Sequence, residues 1–180
     1  TVLALDISSA AEFLKAAGDS RAELLKTVPT VDLFSVNLFF EKPLAQQQPG
    51  FGVLFPRGEG VEPLGVLLNS FIFPRKEKSF SETWIFGGPS PSDLPNWSAQ
   101  DFLSRIHKVR EWVWGKGPQP QDIFINPWPK ALPLYGIELE KVLQQLPLEQ
   151  NDIYLVGNYL GDIGLNRLFH RAKKMSMEFS

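Results

Sequence analysis

The 180-residue sequence contains no cysteine and only two histidines. The absence of cysteine excludes disulfides, thiol nucleophiles, iron–sulfur clusters and thiolate zinc sites, and it fits a reducing compartment. His107 and His170 do not have the spacing of a metal-binding pair, so we expect no metal centre. We therefore expect a cytoplasmic protein, with membrane association of the full-length protein as an open alternative.

Long apolar segments and a strong excess of charge are also missing. No apolar run approaches the roughly 20 residues of a membrane-spanning helix, and the formal net charge is −2. This charge provides no attraction to nucleic acid, so we expect no nucleic-acid partner. There is no phosphate-binding loop, no GxGxxG fingerprint and no serine in a nucleophile-elbow pattern. The catalytic residues are therefore unknown from the sequence.

Aromatic residues are plentiful, with 14 Phe and 5 Trp. Trp112 and Trp114 lie two positions apart on a predicted helix, so they cannot share a face and one of them should be exposed or cover another surface. A large flat apolar ligand, or a missing domain, would account for such a surface. For most of the phenylalanines, packing in the core is the preferred interpretation.

The beginning of the chain is unusual. The sequence starts TVLAL, without an initiator methionine, and residues 2–5 have the pattern of a buried strand. The edges of natural domains are usually more polar than this. We therefore expect a fragment of a longer protein.

Hydrophobic periodicity predicts an α+β fold with a mixed, largely antiparallel sheet and flanking helices. The pattern of residues 31–41 predicts a strand whose core face carries Phe34, Val36, Leu38 and Phe40. Residues 98–114 form the clearest helix, which Ser98 should cap. An earlier helix is predicted to begin at a Ser8 or Ser9 cap and to bury Phe13. Further strands are predicted at 1–5, 51–55, 64–73, 81–88, 122–126 and 153–156, and further helices at 21–26, 137–146 and 164–174.

The segment from Ile153 to Leu168 contains a candidate ligand site. An apolar strand runs into Gly157-Asn158, and Gly161 and Gly164 follow before a helical pattern begins. Glycines allow close approach of a ligand to the backbone, and a helix start offers free N–H groups. The turn is a plausible seat for the electron-rich edge of a cofactor. An ordinary strand–loop–helix corner is the alternative.

Four ordered segments give the chain a resemblance to a known family. They are residues 1–14, the GVLFP, LG and FIFP strings within 52–74, the WIFGG string at 84–88, and the WPKALPLY string at 128–135, which Gly157-Asn158 follows. In this order they resemble the C-terminal half of protoporphyrinogen-oxidase-like flavoproteins, within the FAD-dependent amine oxidase group. The match spans nearly the whole chain, although the N-terminal dinucleotide-binding half is absent.

The resemblance implies an FAD-dependent oxidoreductase that oxidises a bulky apolar substrate. It implies three regions: residues 1–30 leaving the FAD-binding domain, 31–135 forming a substrate-binding domain, and 136–180 returning to the FAD-binding domain. It also implies two sets of site residues. Gly157, Asn158, Gly161 and Gly164 would contact FAD, and Trp128, Ala131, Pro133 and Tyr135 would lie near the substrate.

The dinucleotide fingerprint is missing, so we do not expect tight FAD binding by these 180 residues alone, and we expect an N-terminal FAD-binding domain as partner. An enzyme is expected only when the two halves are joined. Asp162, Leu134 and Arg171 depart from the usual pattern of the family. These departures keep two alternatives open: a non-catalytic ligand- or protein-binding module that retains the fold, and a flavin oxidase or desaturase for an amine or carotenoid.

Overall fold

The computed structural model describes residues 1–42, 49–73, 80–88, 94–161 and 164–178. The chain forms two compact units. Unit 1 contains residues 1–31 and 130–180, and unit 2 contains residues 32–129. The elements in chain order are β1 (Val2–Ala4), α1 (Ile7–Ala16), α2 (Arg21–Lys26), β2 (Thr30–Phe40), β3 (Gly52–Leu54), β4 (Gly65–Leu67), α3 (Asn69–Ile72), β5 (Phe80–Gly87), α4 (Ala99–Trp114), β6 (Asp122–Pro133), α5 (Ile137–Gln145), β7 (Glu149–Gln150), β8 (Ile153–Val156) and α6 (Leu165–Glu178).

Unit 1 contains a three-stranded sheet in the order β1-β8-β7. β1 and β8 are parallel, with Leu3 opposite Leu155, whereas β7 and β8 are antiparallel. One face of this sheet packs against α1, α2 and α5 around Leu3, Leu14, Leu155 and Tyr159, all of which are buried. This packing fixes β8 and therefore the origin of the turn that follows it.

The N-terminus of α1 differs from the sequence prediction. Asp6 caps it, and its Oδ1 accepts from the backbone N–H groups of Ser8 and Ser9 at 2.9 and 3.0 Å. The expected Ser8 or Ser9 cap is therefore wrong. Phe13 is 44% exposed rather than buried. The helix buries the stripe of Ile7, Ala10, Ala11 and Leu14, and position 13 lies about 100° away from Leu14 around the axis.

Unit 2 contains a five-stranded sheet in the order β3-β4-β5-β2-β6, with antiparallel β3–β4, β4–β5 and β5–β2 pairs. The predicted core face of β2 is confirmed, because Phe34, Val36, Leu38 and Phe40 are all buried. This face packs against α4, whose predicted Ser98 cap forms a reciprocal capping box with Asp101. The mixed, largely antiparallel α+β architecture is as predicted.

Two predicted strands have different bounds. The predicted strand at 64–73 is wrong beyond Leu67, because residues 69–72 form α3. There the Asn69 side chain donates to Thr83 Oγ1 on β5 at 2.7 Å. β6 continues to Pro133, although a strand was predicted only to Asn126. Its prolines are tolerated because β6 lies at the edge of the sheet.

The two neighbouring tryptophans of α4 separate as expected. Trp112 is 68% exposed, whereas the ring of Trp114 packs edge-on against Trp84 at a centroid distance of 6.3 Å. Within the described residues, no helix has the length and apolar character needed to cross a bilayer.

Candidate functional site

The glycine-rich turn of unit 1 follows β8 directly. Asn158–Leu160 form a single 3-10 turn, and Gly161 and Gly164 have φ angles of 84° and 95°. A side chain at Gly164 would meet no atom within 4 Å, so this part of the turn borders open space. The side-chain amide of Asn158 has no hydrogen-bond partner within the described part of the chain. The first N–H groups of α6 lie just beyond Gly164.

Gly157 has a structural reason to be glycine. A Cβ at this position would overlap the ring of Tyr159 and would lie 2.9 Å from the carbonyl oxygen of Leu5. Tyr159 is fully buried, and its hydroxyl has no partner among the described residues. Burial raises the pKa of Tyr159 to about 12. Close packing inside unit 1 therefore accounts for Gly157, whether or not a cofactor contacts it.

Tyr135 lies beside this turn. Its hydroxyl donates to the carbonyl oxygen of Asn158 at 3.3 Å, and partial burial raises the pKa of the Tyr135 phenol. Ala131 is half-buried and Pro133 is buried on the segment that leads to Tyr135. The structure thus brings one residue of the predicted substrate segment into contact with one residue of the predicted cofactor turn.

A buried arginine holds the segment that precedes β8. Arg21 is 1% exposed, and its Nη2 pairs with the Asp19 carboxylate at 2.7 Å. The same guanidinium donates to the carbonyl oxygens of Pro147, Gln150 and Ile153 at 3.2, 3.0 and 3.1 Å. The hydrogen bond from Arg21 keeps the pKa of Asp19 below its usual value. Arg21 therefore fixes the start of β8, from which the turn emerges.

Trp128 lies in unit 2, on the sheet face opposite the core. Its indole is 56% exposed, and Nε1 donates to Ser35 Oγ at 3.0 Å. We call this surface the open face and define it by five half-buried or exposed residues on strands β2, β5 and β6: Ser35, Asn37, Thr83, Ile85 and Trp128. The register places Ser35 opposite Ile85 and Asn37 opposite Thr83.

A short polar network crosses the open face. Asn69 Nδ2 donates to Thr83 Oγ1, which in turn donates to Asn37 Oδ1 at 2.6 Å. The Asn37 Nδ2 group is then a donor that has no partner among the described residues. Gly65 on β4 lies opposite Ile85, and a Cβ at this buried glycine would lie 3.0 Å from the side chain of Leu54 on β3. The face thus combines the apolar side chains of Trp128 and Ile85 with a short row of fixed polar groups.

Sequence reasoning missed the polar part of this face. The alternation in residues 31–41 placed Ser35 and Asn37 on the side of β2 away from the core, which was the available signal. Their convergence with Thr83 and Trp128 needs the strand register, because these residues lie 46 and 93 positions away along the chain. Asp162 and Pro74, named in the sequence prediction, lie outside the described residues.

The titratable residues Glu82, Arg110 and His107 of unit 2 do not belong to the open face. Glu82 and Arg110 form a buried ion pair at 3.0 Å, and Trp84 Nε1 donates to Glu82. Burial and the nearby charge of Arg110 lower the pKa of His107. In the ranges that the structure describes, no group of three or more histidine, aspartate and glutamate residues has the geometry to hold a metal ion.

Curated proteins include relatives of this chain. No protein-family model matches the sequence. The chloroplastic protoporphyrinogen oxidase of Nicotiana tabacum is 28% identical over 138 residues, which cover 72% of this chain and 25% of that protein. The mitochondrial protoporphyrinogen oxidase of the same plant is 26% identical over 166 residues, which cover 86% of this chain and 33% of that protein. The chain therefore spans about a quarter to a third of the length of these curated relatives.

Solved structures share the fold. A protein from Exiguobacterium sp. 255-15, provisionally assigned as a protoporphyrinogen oxidase, gives a TM-score of 0.74 at 16% identity and covers 99% of this chain and 40% of its own. Cyclohexylamine oxidase from Brevibacterium oxydans IH-35A gives a TM-score of 0.61 at 16% identity, with coverages of 88% and 37%. At these identities the structures establish the fold alone. Sequence and fold together confirm that the chain resembles protoporphyrinogen-oxidase-like FAD-dependent oxidoreductases of the flavin amine oxidase group.

Proposed function

We propose that this chain is the substrate-binding and C-terminal part of an FAD-dependent oxidoreductase that oxidises a bulky apolar substrate. The observation that carries the proposal is the sequence similarity to protoporphyrinogen oxidases over most of the chain. In this proposal unit 2 binds the substrate, and unit 1 completes an FAD-binding domain that begins outside these 180 residues.

The turn after β8 fits the role of a flavin contact. Bound flavin would accept the electrons and hydrogen that leave the substrate. Three features of the chain suit the electron-rich edge of such a ring: the amide of Asn158, which has no partner among the described residues, the open space at Gly164 and the first N–H groups of α6. Tyr135 supports this arrangement by donating to Asn158 from the neighbouring segment.

The open face fits the role of a substrate surface. Adjacent strands lie about 4.8 Å apart, so the three strands that carry the open face, β5, β2 and β6, present a surface roughly 10 Å wide. Trp128 offers an exposed aromatic ring for stacking, and Asn37 offers a hydrogen-bond donor beside it on the same face. A large, flat, mostly apolar molecule with an acceptor group matches this combination.

The absorbance spectrum of the full-length protein, purified without added cofactor, tests the proposal. We expect the visible absorption bands of a flavin, and release of FAD on denaturation. A protein that is colourless and stays colourless after FAD is added would contradict the proposal and favour a non-catalytic module. A spectrum with flavin bands would leave the identity of the substrate as the next question.

A variant of the turn tests whether Asn158 contacts FAD. Asn158→Ala removes an unpartnered amide from the proposed contact, and a lost hydrogen bond of about 1–1.5 kcal/mol weakens FAD binding about tenfold. Gln144→Ala is the matched control, because Gln144 is exposed on α5. Equal FAD affinity in the two variants would remove Asn158 from the proposed cofactor site.

A further inference from the structure

The open face of unit 2 divides into two rows of side chains. Ser35 lies opposite Ile85 in the strand register, and the Trp128 indole bonds to Ser35, so these residues form a mostly apolar row. Asn37 lies opposite Thr83, and these two residues form a polar row. Side chains two positions apart on a strand point to the same side of the sheet and are separated by about 7 Å. A short side group on a ring that stacks on Trp128 can therefore reach Asn37.

The polar row is ordered by the hydroxyl of Thr83. Asn69 Nδ2 donates to Thr83 Oγ1 at 2.7 Å, and Thr83 Oγ1 donates to Asn37 Oδ1 at 2.6 Å. A hydroxyl has a single hydrogen to donate, whereas it can accept two hydrogen bonds. Because the amide nitrogen of Asn69 can only donate, the Thr83 hydroxyl accepts from Asn69 and keeps its own hydrogen for Asn37.

The opposite orientation of the Asn37 amide is disfavoured. With its oxygen and nitrogen exchanged, Asn37 would donate to Thr83, and the hydrogen of the Thr83 hydroxyl would have no acceptor among the described residues. Thr83 is half-buried, and an unsatisfied donor removed from water costs free energy. Nδ2 is therefore the side-chain atom of Asn37 that remains for a ligand, and it is a donor.

We propose that Thr83 is a positioning residue that fixes Asn37 as a hydrogen-bond donor, so that the open face selects flat apolar molecules with an acceptor oxygen, such as a carboxylate, over those with an ammonium group. The inference rests on the proposed function, because it takes the open face as the substrate surface. A carboxylate accepts from Asn37 Nδ2, whereas an ammonium group has donors alone and leaves Nδ2 unpaired. This polarity disfavours an amine among the alternative substrates.

Binding of two fluorescent probes to the full-length protein tests the proposal. Pyrenebutyrate and pyrenebutylamine share a flat apolar ring and end in a carboxylate and an ammonium group, so stacking on Trp128 cancels in the ratio of their affinities. Thr83→Val removes the hydroxyl that orients Asn37, and we expect the ratio to shift about tenfold toward the amine, since a hydrogen bond to a charged group contributes about that much. Thr83→Ser keeps the hydroxyl, so its ratio should stay within about twofold of the wild type.

Asn37→Asp gives an independent test, because a carboxylate side chain only accepts, and the preference should turn toward pyrenebutylamine. Asn96→Asp is its matched control: it makes the same chemical change at an exposed position of unit 2 just before α4, the helix that packs on the opposite face. It should leave the ratio within about twofold of the wild type.

Three results would overturn the proposal: a folded Thr83→Val variant with an unchanged ratio, equal effects of Asn37→Asp and Asn96→Asp, or a wild type that binds neither probe. Probe binding does not require flavin. A colourless protein with the expected ratios would therefore contradict the proposed oxidoreductase and leave the selectivity of the open face intact, whereas a flavin-containing protein with unchanged ratios would do the reverse.

Discussion

Replacement of Arg21 by Met tests the strongest polar interaction of unit 1. The variant removes a guanidinium that is 1% exposed and leaves the Asp19 carboxylate, itself 4% exposed, without its cation. Breaking a buried ion pair by removing one partner costs about 3–5 kcal/mol. Whole domains are stable by only about 5–15 kcal/mol, so this is a large share of the total. The carbonyl oxygens of Pro147, Gln150 and Ile153 also lose a donor.

Urea unfolding followed by far-UV circular dichroism measures this loss. With a slope of about 2 kcal/mol per molar urea, we expect the midpoint to fall by about 1.5–2.5 M. Lys26→Met is the matched control on the same helix: Lys26 pairs with exposed Glu23 on the surface, and loss of such a solvent-screened pair should leave the midpoint close to that of the wild type. The double variant Arg21→Met/Asp19→Asn should be less destabilised than the sum of the single variants, because each substitution removes the same interaction.

The dependence on pH gives a second check of the Arg21 pair. The pKa of Asp19 is lowered in the folded protein, so the ion pair stabilises the fold above the unfolded pKa, and this contribution is lost as the pH falls through the folded pKa. The stability difference between the wild type and Arg21→Met should therefore shrink in acid. If Arg21→Met lowers the free energy of unfolding by less than about 1 kcal/mol at neutral pH, this account of the Arg21–Asp19 ion pair is refuted. A stability difference that does not shrink in acid would refute it as well.

Three other substitutions have defined outcomes. Gly157→Ala should lower the free energy of unfolding by about 1–3 kcal/mol, since its Cβ overlaps the Tyr159 ring; a melting temperature equal to that of the wild type would contradict this packing. Tyr159→Phe should leave the free energy of unfolding unchanged or raise it by about 1 kcal/mol, because it removes a buried hydroxyl without a partner among the described residues. A clear fall in the urea midpoint would show that this hydroxyl is hydrogen-bonded. Trp128→Ala should weaken binding of the proposed substrate by about tenfold or more. Because the Trp128 indole is 56% exposed, the free energy of unfolding should change by less than about 1 kcal/mol. A collapse of the fold would instead place Trp128 in the core.

Local patterns explain where sequence reasoning succeeded. The core face of β2 follows from strict alternation within one strand, and the Ser98 cap follows from a motif of four residues. The strand Ile153–Val156 is likewise a short apolar run, with Asn151-Asp152 before it and Gly157-Asn158 after it. In each case the determining interactions lie within a few residues along the chain.

The misplaced elements have equally physical causes. Residues 69–72 form a helical turn where hydrophobic residues suggested a strand, and Asn69 bonds there to Thr83 on β5, a contact that no local pattern reveals. β6 runs beyond the predicted end at Asn126 despite its prolines, because an edge strand needs only half of its N–H groups for pairing. Asp6, rather than a nearby serine, caps α1, because its carboxylate accepts from two backbone N–H groups.

The sequence by itself therefore determined most of the secondary-structure pattern, the core face of β2, the glycine-rich turn and the resemblance to a family of flavoproteins. Only the tertiary structure decided which distant residues meet. The Arg21 guanidinium reaches carbonyl groups 126 to 132 residues away, Tyr135 contacts Asn158, and Trp128 joins Ser35 across 93 residues. Such contacts depend on strand register and helix packing, which are set by the burial of the whole core rather than by any local pattern of residues.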